Sequence, residues 1–368
     1  MNVELIANAN DVPQDDWNGF AISHPFQRWE WLGTWWKFYQ GGNQLYVAAM
    51  RENDKYVCFA PWYLETGTCG SRTIKFLGSG KVCTDHQSLI CDPSRAVEFG
   101  NRIAEWLVGR GDWDHFELIG VDKDDAAISS LHQSLADHGL LSVRKEGLPC
   151  YQISLPKSWS EYQSRRSKSG KRDCRKIRTW IDAGKFEFVV PKTIEELTDC
   201  WFDFVDMHQR RLESLGEKGC FAFHPFGEFL WEASTKLLES GHLILTMVYC
   251  EGTPIAAQYA LRDDSAHYFY QSGLNIDWMD WKPGQVVLMR TIEDSIDSGL
   301  RCFDMMRGDE SYKMRWRGEL QATEEFYVSA ARLIPQLQFR AWATGKSVAN
   351  ALSNRAAQIS RYFAGDGS

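Results

Sequence analysis

The stretch 282–319 reads KPGQVVLMRTIEDSIDSGLRCFDMMRGDESYKMRWRGE, and three elements are legible in it. Leu288, Ile292 and Ile296 share one face at helical spacing, which predicts a helix from Val286 to Ser298 with Gly299 at the left-handed position that ends it. Pro283 suits the first turn of such a helix, where its missing N–H would go unused. RCFDMM at 301–306 then reads as a strand and SYKMRW at 311–316 as a short helix. Asp304, Asp309 and Glu310 therefore gather at and just beyond the end of a strand, where reactive groups are commonly placed.

Working upstream, LILTMVYC (243–250), IAAQYALRD (255–263) and AHYFYQSG (266–273) read as three successive antiparallel strands, the first turn being Glu251-Gly252-Thr253-Pro254. Two helical patterns, 193–216 and 225–241, come before them. The first half opens with a helix carrying Trp29, Leu32, Trp36 and Tyr39 and ended by Gly41-Gly42. A hairpin of LYVAAM (45–50) and YVCFAPWYL (56–64) follows, then a strand at 72–80, a loop with Thr84, Asp85 and His86, a helix at 94–108, a strand at 115–121, a helix at 126–138 and a closing strand at 150–155. Each half runs helices, hairpin, strand, helix, strand, with Leu45–Tyr63 and Leu243–Leu261 in equivalent places. The expected fold is α/β, with mixed, largely antiparallel sheets flanked by helices. Its expected divisions are 1–155, 156–332 and a basic amphipathic helical tail at 333–368.

A chain of 368 residues is long enough for two cores. Sixteen Trp and thirteen Tyr predict large aromatic cores or sites that stack flat ligands. The net charge of −8 argues against a nucleic-acid footprint over the whole protein and against DNA as a partner, so any anion site must be local. The start MNVELIANANDVPQDDW has no basic segment or apolar run to suggest a signal peptide, and no stretch approaches the length of a membrane span. Ten scattered cysteines without a CxxC pair suggest neither zinc nor a disulfide framework. A reducing cytoplasm and no metal are expected.

Pro283, Gly284, Leu288, Ile292, Gly299, Phe303, Asp304, Gly308, Asp309, Glu310, Tyr312, Lys313 and Trp316 resemble, at fixed spacing, the signature that closes the catalytic-type domain of CelD-like acyltransferases in the GNAT superfamily. Gly252–Ala257, Pro25-Phe26-Gln27, Trp31 and Phe76-Leu77-Gly78 add to the likeness, which extends to about Ala330. The resemblance implies a tandem GNAT architecture like that of Fem-type aminoacyl transferases. It also implies acyl transfer, with acetyl-CoA the expected donor and a hydroxyl or amine of a polysaccharide or cell-envelope precursor the expected acceptor. In such a fold two strands splay to pair with the pantetheine arm, and the pyrophosphate rests on the following helix N-terminus. Lys282, Pro283, Gly284 and Gln285 are the donor-binding candidates, with Gln258 on a neighbouring strand. The loop LNIDWMDWKPGQ (274–285) departs from the usual Q/R-x-x-G-x-G/A pyrophosphate pattern.

Direct transfer needs a base for the nucleophile's proton and an acid for the departing thiolate. Asp309 or Glu310 is the expected base, with Asp304 beside them, Tyr312 the acid, and Lys313 a group that orients an anion. Asp85 and His86 are acceptor-site candidates, or else an ordinary hydrogen-bonded loop pair. The run SRRSKSGKRDCRKIRTW (164–180) is either an anion site, with Arg175 and Lys176 foremost, or a solvated helix face. Its anion would be a phosphorylated acceptor, the adenosine phosphate of CoA, or tRNA. A Fem-type enzyme using aminoacyl-tRNA, or a non-catalytic binding module, are the alternatives. The tail, with Val348, Leu352, Ile359 and Phe363 apolar and Arg340, Lys346, Arg355 and Arg361 basic, would either dock on its own domain or touch the inner membrane peripherally.

Overall fold

The computed structural model describes residues 1–20, 24–67 and 70–344. In its first half the chain forms β1 (Asn2–Ile6), α1 (Gln14–Phe20), α2 (Trp29–Tyr39), β2 (Gln44–Leu45), β3 (Val47–Glu52), β4 (Lys55–Ala60), β5 (Trp62–Thr66), β6 (Arg72–Phe76), β7 (Ile90–Cys91), α3 (Ala96–Val108), β8 (His115–Asp122), α4 (Ala126–Asp137) and β9 (Leu141–Glu146). The second half contains β10 (Cys150–Ser154), α5 (Trp159–Arg165), α6 (Lys168–Asp182), β11 (Glu187–Val189), α7 (Ile194–Glu213), α8 (Phe226–Glu239), β12 (Leu243–Cys250), β13 (Thr253–Arg262), β14 (Ala266–Leu274), α9 (Pro283–Asp297), β15 (Cys302–Arg307), α10 (Ser311–Arg315), β16 (Glu319–Gln321) and β17 (Thr323–Ser329). A further helix occupies 333–344.

Three sheets result, ordered β1-β3-β4-β7, β2-β5-β6-β8-β17-β9 and β11-β12-β13-β14-β15-β10-β16. The arm expected as one strand at 56–64 is two, because Pro61 has no N–H to give a ladder; β4 and β5 on either side of it enter different sheets. The strand at 150–154, expected to close the first half, instead pairs with β15 and β16 in the second. In return β17 inserts between β8 and β9 of the first half. The two halves thus exchange strands. α9 also begins at Pro283, ahead of the predicted Val286, since proline is well suited to a first helical turn.

Apolar faces bury against three cores. One lies between the six-stranded sheet and α3 and α4, and one lies beneath α9. The third combines Trp31, Leu32 and Trp35 of α2 with Phe229, Leu245 and Met306 of the second half. Trp31 and Phe229 meet edge to face at 5.0 Å across that junction. A core shared between halves fixes their orientation, and the site described next depends on it. The helix at 333–344 packs Trp342 on Tyr327 at 4.6 Å. Arg340 lies on it, while Lys346, Val348, Leu352, Arg355, Ile359, Arg361 and Phe363 fall outside the described residues. No helix among the described residues is long and apolar enough to cross a membrane.

Candidate active site

β14 and β15 are parallel neighbours for only three pairs, Ala266↔Cys302, His267↔Phe303 and Tyr268↔Asp304. Beyond these β14 runs on to Leu274 beside β13 and β15 to Arg307 beside β10 without pairing with each other. A bulge explains the parting: Tyr259 pairs with Gln271 and Ala260 with Phe269, so Tyr270 is an extra residue that bends β14. The Tyr270 hydroxyl donates to the carbonyl of Val82 at 2.6 Å, which ties the bend to the first half.

Asp304 sits at the parting point and is fully buried. One carboxylate oxygen accepts from the Met306 N–H at 2.6 Å, and the other from Gln152 Nε2 at 2.7 Å while lying 3.1 Å from His86 Nε2. His86 comes from the other half, and its Nδ1 contacts Asp122 at 2.8 and 3.0 Å. Burial opposes charge on His86, but the aspartates on either side outweigh it and hold its pKa well above 6.5. Burial likewise opposes ionisation of Asp304, yet the charge of His86, Gln152 and the Met306 N–H keep its carboxyl below the usual range. The centre is therefore an imidazolium between two carboxylates.

A second histidine lies against it. The His24 ring is 5.0 Å from that of His86 and 4.7 Å from Tyr268, and neither of its nitrogens has a hydrogen-bond partner among the described residues. Burial first, then the charge of His86, lower its pKa to about 3, so it is neutral. Tyr268 in turn donates to Asp263 at 2.9 Å. Beside the histidines, Asp85 binds the guanidinium of Arg307 and accepts from the Arg307 N–H at 3.1 Å. Burial raises the Asp85 carboxyl even against that partner.

Backbone strain gathers here too. His86 and Met306, which flank Asp304, have φ of 57° each, a conformation that bulky residues rarely adopt and that costs on the order of 1–3 kcal/mol. Gly308 has φ 117°, and a methyl group there would lie 2.5 Å from the Glu310 carboxylate. Lys313 secures the turn. Buried, it donates to the carbonyls of Met306 at 3.0 Å, Arg307 at 2.7 Å and Gly308 at 3.3 Å and pairs with Glu310 at 2.9 Å.

The sequence candidates are thus divided among several places. Asp85, His86 and Asp304 meet at the parting strands, and Lys313 braces the backbone beside them. Asp309 and Glu310 are exposed on the turn, and Tyr312 packs on the core beneath α9, its pKa raised by burial and then by Glu310. Gln258 is buried in the sheet and its Oε1 accepts from His267 Nε2 at 3.0 Å, which is the core role weighed for it. At the start of α9, Lys282 pairs with Asp173 of α6 at 2.8 Å, and the Gly284 Cα faces Leu274, whose δ-carbon would lie 3.3 Å from an added methyl. Gln285 N–H donates to the Lys282 carbonyl at 2.8 Å, so Gly284 carries the free amide of that first turn among the described residues. Arg175 and Lys176 are exposed on α6, Lys176 over Trp180 at 4.7 Å. His24, Asp122 and Gln152 escaped the sequence reading, and Arg307, weighed there as a partner of the nearby carboxylates, pairs instead with Asp85; the one signal for Asp122 was its place at the end of a predicted strand. Among the described residues no group of three His, Cys, Asp or Glu is arranged to hold a metal.

Residues 167–314 match the acetyltransferase (GNAT) domain family, a span from the cap of α6 to α10. The fold is similar to the crystal structure of FemX, with TM-score 0.65 and 13% identity over 92% of this chain and 99% of that one. It is also similar to a conserved protein of unknown function from Bacteroides thetaiotaomicron (0.55, 11% identity, 89% and 100% covered). A third is the C-terminal domain of a putative lysylphosphatidylglycerol synthetase from Agrobacterium fabrum (0.52, 8% identity, 89% and 94% covered). No curated protein matches the chain. Residues 167–314 are thus similar to GNAT-superfamily acetyltransferase domains, and the whole is a two-halved α/β fold of the kind seen in FemX.

Proposed function

We propose that the chain transfers an acyl group from acyl-CoA, acetyl-CoA first among them, to a hydroxyl or amine of a saccharide or cell-envelope precursor, with the reaction where β14 and β15 part. The observation that carries this reading is the parting itself: a bulge at Tyr270 opens two parallel strands beside a buried, charged His86–Asp304 pair. Backbone groups released from a ladder can pair with an extended donor arm and give N–H groups to the oxyanion of a tetrahedral intermediate. His86, held protonated with both ring nitrogens against Asp304 and Asp122, fixes the wall of this opening. His24, neutral and with no hydrogen-bond partner for its nitrogens among the described residues, takes the proton of the acceptor nucleophile as it attacks and passes it to the CoA thiolate as that leaves. Asp304 and Asp122 position His86. Asp309 or Glu310 as base and Tyr312 as acid make the competing assignment, and it draws on the resemblance alone. The polysaccharide context rests on the resemblance too.

Calorimetric titration with acetyl-CoA and CoA tests the donor. Saturable binding in the wild type that is lost in Gly284→Val, whose side chain would press on Leu274 and shift the start of α9, supports the reading. No binding at millimolar donor sinks it. A second reading, transfer from aminoacyl-tRNA, draws on the exposed Lys168, Arg172 and Arg175 of α6, which have no carboxylate partner among the described residues. Steeply salt-dependent tRNA binding would then replace donor binding.

A further inference from the structure

The first turn of α6 carries a buried positive charge in a place that repels it. Arg166 immediately precedes the N-cap Ser167, is 6% exposed, and forms no ion pair with a carboxylate among the described residues. Its Nε is buried with no hydrogen-bond partner. Nη1 reaches the Tyr162 hydroxyl only at 3.5 Å, and that hydroxyl is already committed to the Trp316 carbonyl at 2.6 Å. The guanidinium carbon lies over the Trp316 ring, 3.7 Å from its centroid. Its remaining edge is turned onto α6: a methyl group at Gly170 would sit 3.0 Å from Nε and 3.1 Å from Nη2.

That edge faces the positive end of a 15-residue helix. Ser167 Oγ accepts from the Gly170 N–H, whereas the amides of Lys168 and Ser169 have no partner among the described residues. Gly170 has an ordinary helical backbone, so it is not there to relieve φ; glycine in a helix costs stability, and here its bare Cα admits the guanidinium. The neighbouring α5 carbonyl that a side chain does reach, Ser164, is bound by Lys171 at 2.9 Å, so Arg166 is not serving as a C-terminal cap. A desolvated cation held by a ring face and one long hydrogen bond, beside free amides, is a balance that an anion completes.

We propose that the N-terminus of α6 is a phosphoryl-binding site, in which Arg166 Nε and Nη2 and the amides of Lys168 and Ser169 hold the phosphate oxygens of a phosphomonoester or diphosphate. Arg166 rests on Trp316, the residue that ends α10, and Lys313 of α10 holds the end of β15. The bound phosphate therefore anchors a molecule beside the wall of the parted strands. By comparison the start of α9 offers one free amide, and its lysine is paired.

The test is titration of the full chain with inorganic pyrophosphate, which reads binding and not turnover, so it fails separately from the donor test at Gly284. Saturable binding is expected, weakened about tenfold or more in Arg166→Gln, the worth of a charge-assisted hydrogen bond. Lys168 is exposed at the first helical position, so Lys168→Pro removes its amide at little cost to folding, while Lys168→Ala removes only its charge. Lys168→Pro should bind about tenfold more weakly than Lys168→Ala. CoA against dephospho-CoA, and UDP against uridine, then identify the source: the phosphorylated molecule whose affinity falls in both Arg166→Gln and Lys168→Pro supplies the group. Absence of pyrophosphate binding in the wild type, or affinities for pyrophosphate, CoA and UDP unchanged by both substitutions, would overturn the site.

Discussion

His86 Nε2 and Asp304 Oδ2 lie 3.1 Å apart across the junction of the two halves. Each residue comes from a different sheet system, so the contact exists only when both halves are folded and docked. An ion pair so thoroughly buried is costly to assemble, and removing one partner takes from the other a charge that Asp122, or Gln152 and the Met306 N–H, replaces only in part, at about 3–5 kcal/mol. The pair therefore couples docking to the formation of the charged centre.

That coupling has a pH signature. The folded-state pKa of His86 is raised well above 6.5, so its contribution is fully present below the unfolded value and is lost as pH rises through the folded one. Asp304 is depressed below 3.8, so its contribution is present above that value and is lost as pH falls through the folded pKa. The stability gap between wild type and His86→Gln should be widest from about pH 4 to 6.5 and shrink toward alkaline pH. Thermal melts of both proteins across that range check this, and a gap that grows with rising pH contradicts it.

Lys313→Met should destabilise the chain by about 3 kcal/mol or more, because the carbonyls of Met306, Arg307 and Gly308 lose a charged donor at once. Arginine cannot rescue it, since its planar fork does not match three successive carbonyls on a turn. Denaturant unfolding of Lys313→Met and Lys313→Arg measures both statements. Near-native stability in the methionine variant would mean that the turn stands without the ammonium.

Much of this was legible in the sequence. The helix over 283–297, the strand over 302–307 and the three strands from 243 to 274 follow from periodicity and turn residues, which act locally. Periodicity does not name a strand's partner. Cys150–Ser154 reads as a strand, but which sheet it enters is decided by long-range packing, and so is the place of Thr323–Ser329, a strand that the sequence reading did not mark. Asp85 and His86 were legible as a polar pair after a strand, while their partners Arg307, Asp304 and Asp122 arrive from elements far away in the chain. Gln258 shows the same limit: alternation placed it on a strand, and only the fold shows that its face looks into the core toward His267.

The competing assignments of the base separate cleanly. Glu310 is exposed and its pairing with Lys313 is screened on one side by water, so Glu310→Gln should change stability by less than about 1 kcal/mol. If Glu310 is the base, that variant loses about 10²- to 10⁴-fold in kcat with the melting temperature kept. The geometry favours the opposite outcome, near-normal turnover in Glu310→Gln once a donor and acceptor pair is in hand.

His24→Phe is the sharper experiment, because the two roles open to His24 move stability and activity in opposite directions. In the fold its ring nitrogens are buried with no partners among the described residues, and it is held neutral at a pKa of about 3. Replacing an unsatisfied polar ring by an apolar one of similar shape relieves a desolvation cost of about 1–3 kcal/mol, and phenylalanine keeps the contacts with Phe26 and Tyr268. Stability should therefore rise. If His24 takes the nucleophile's proton, kcat should fall about 10²- to 10⁴-fold in the same variant. A gain in melting temperature with a loss of turnover is the pattern of a group kept for chemistry at the expense of packing. A stabilised variant with full turnover would assign the proton to another group and leave His24 as a packing defect beside His86.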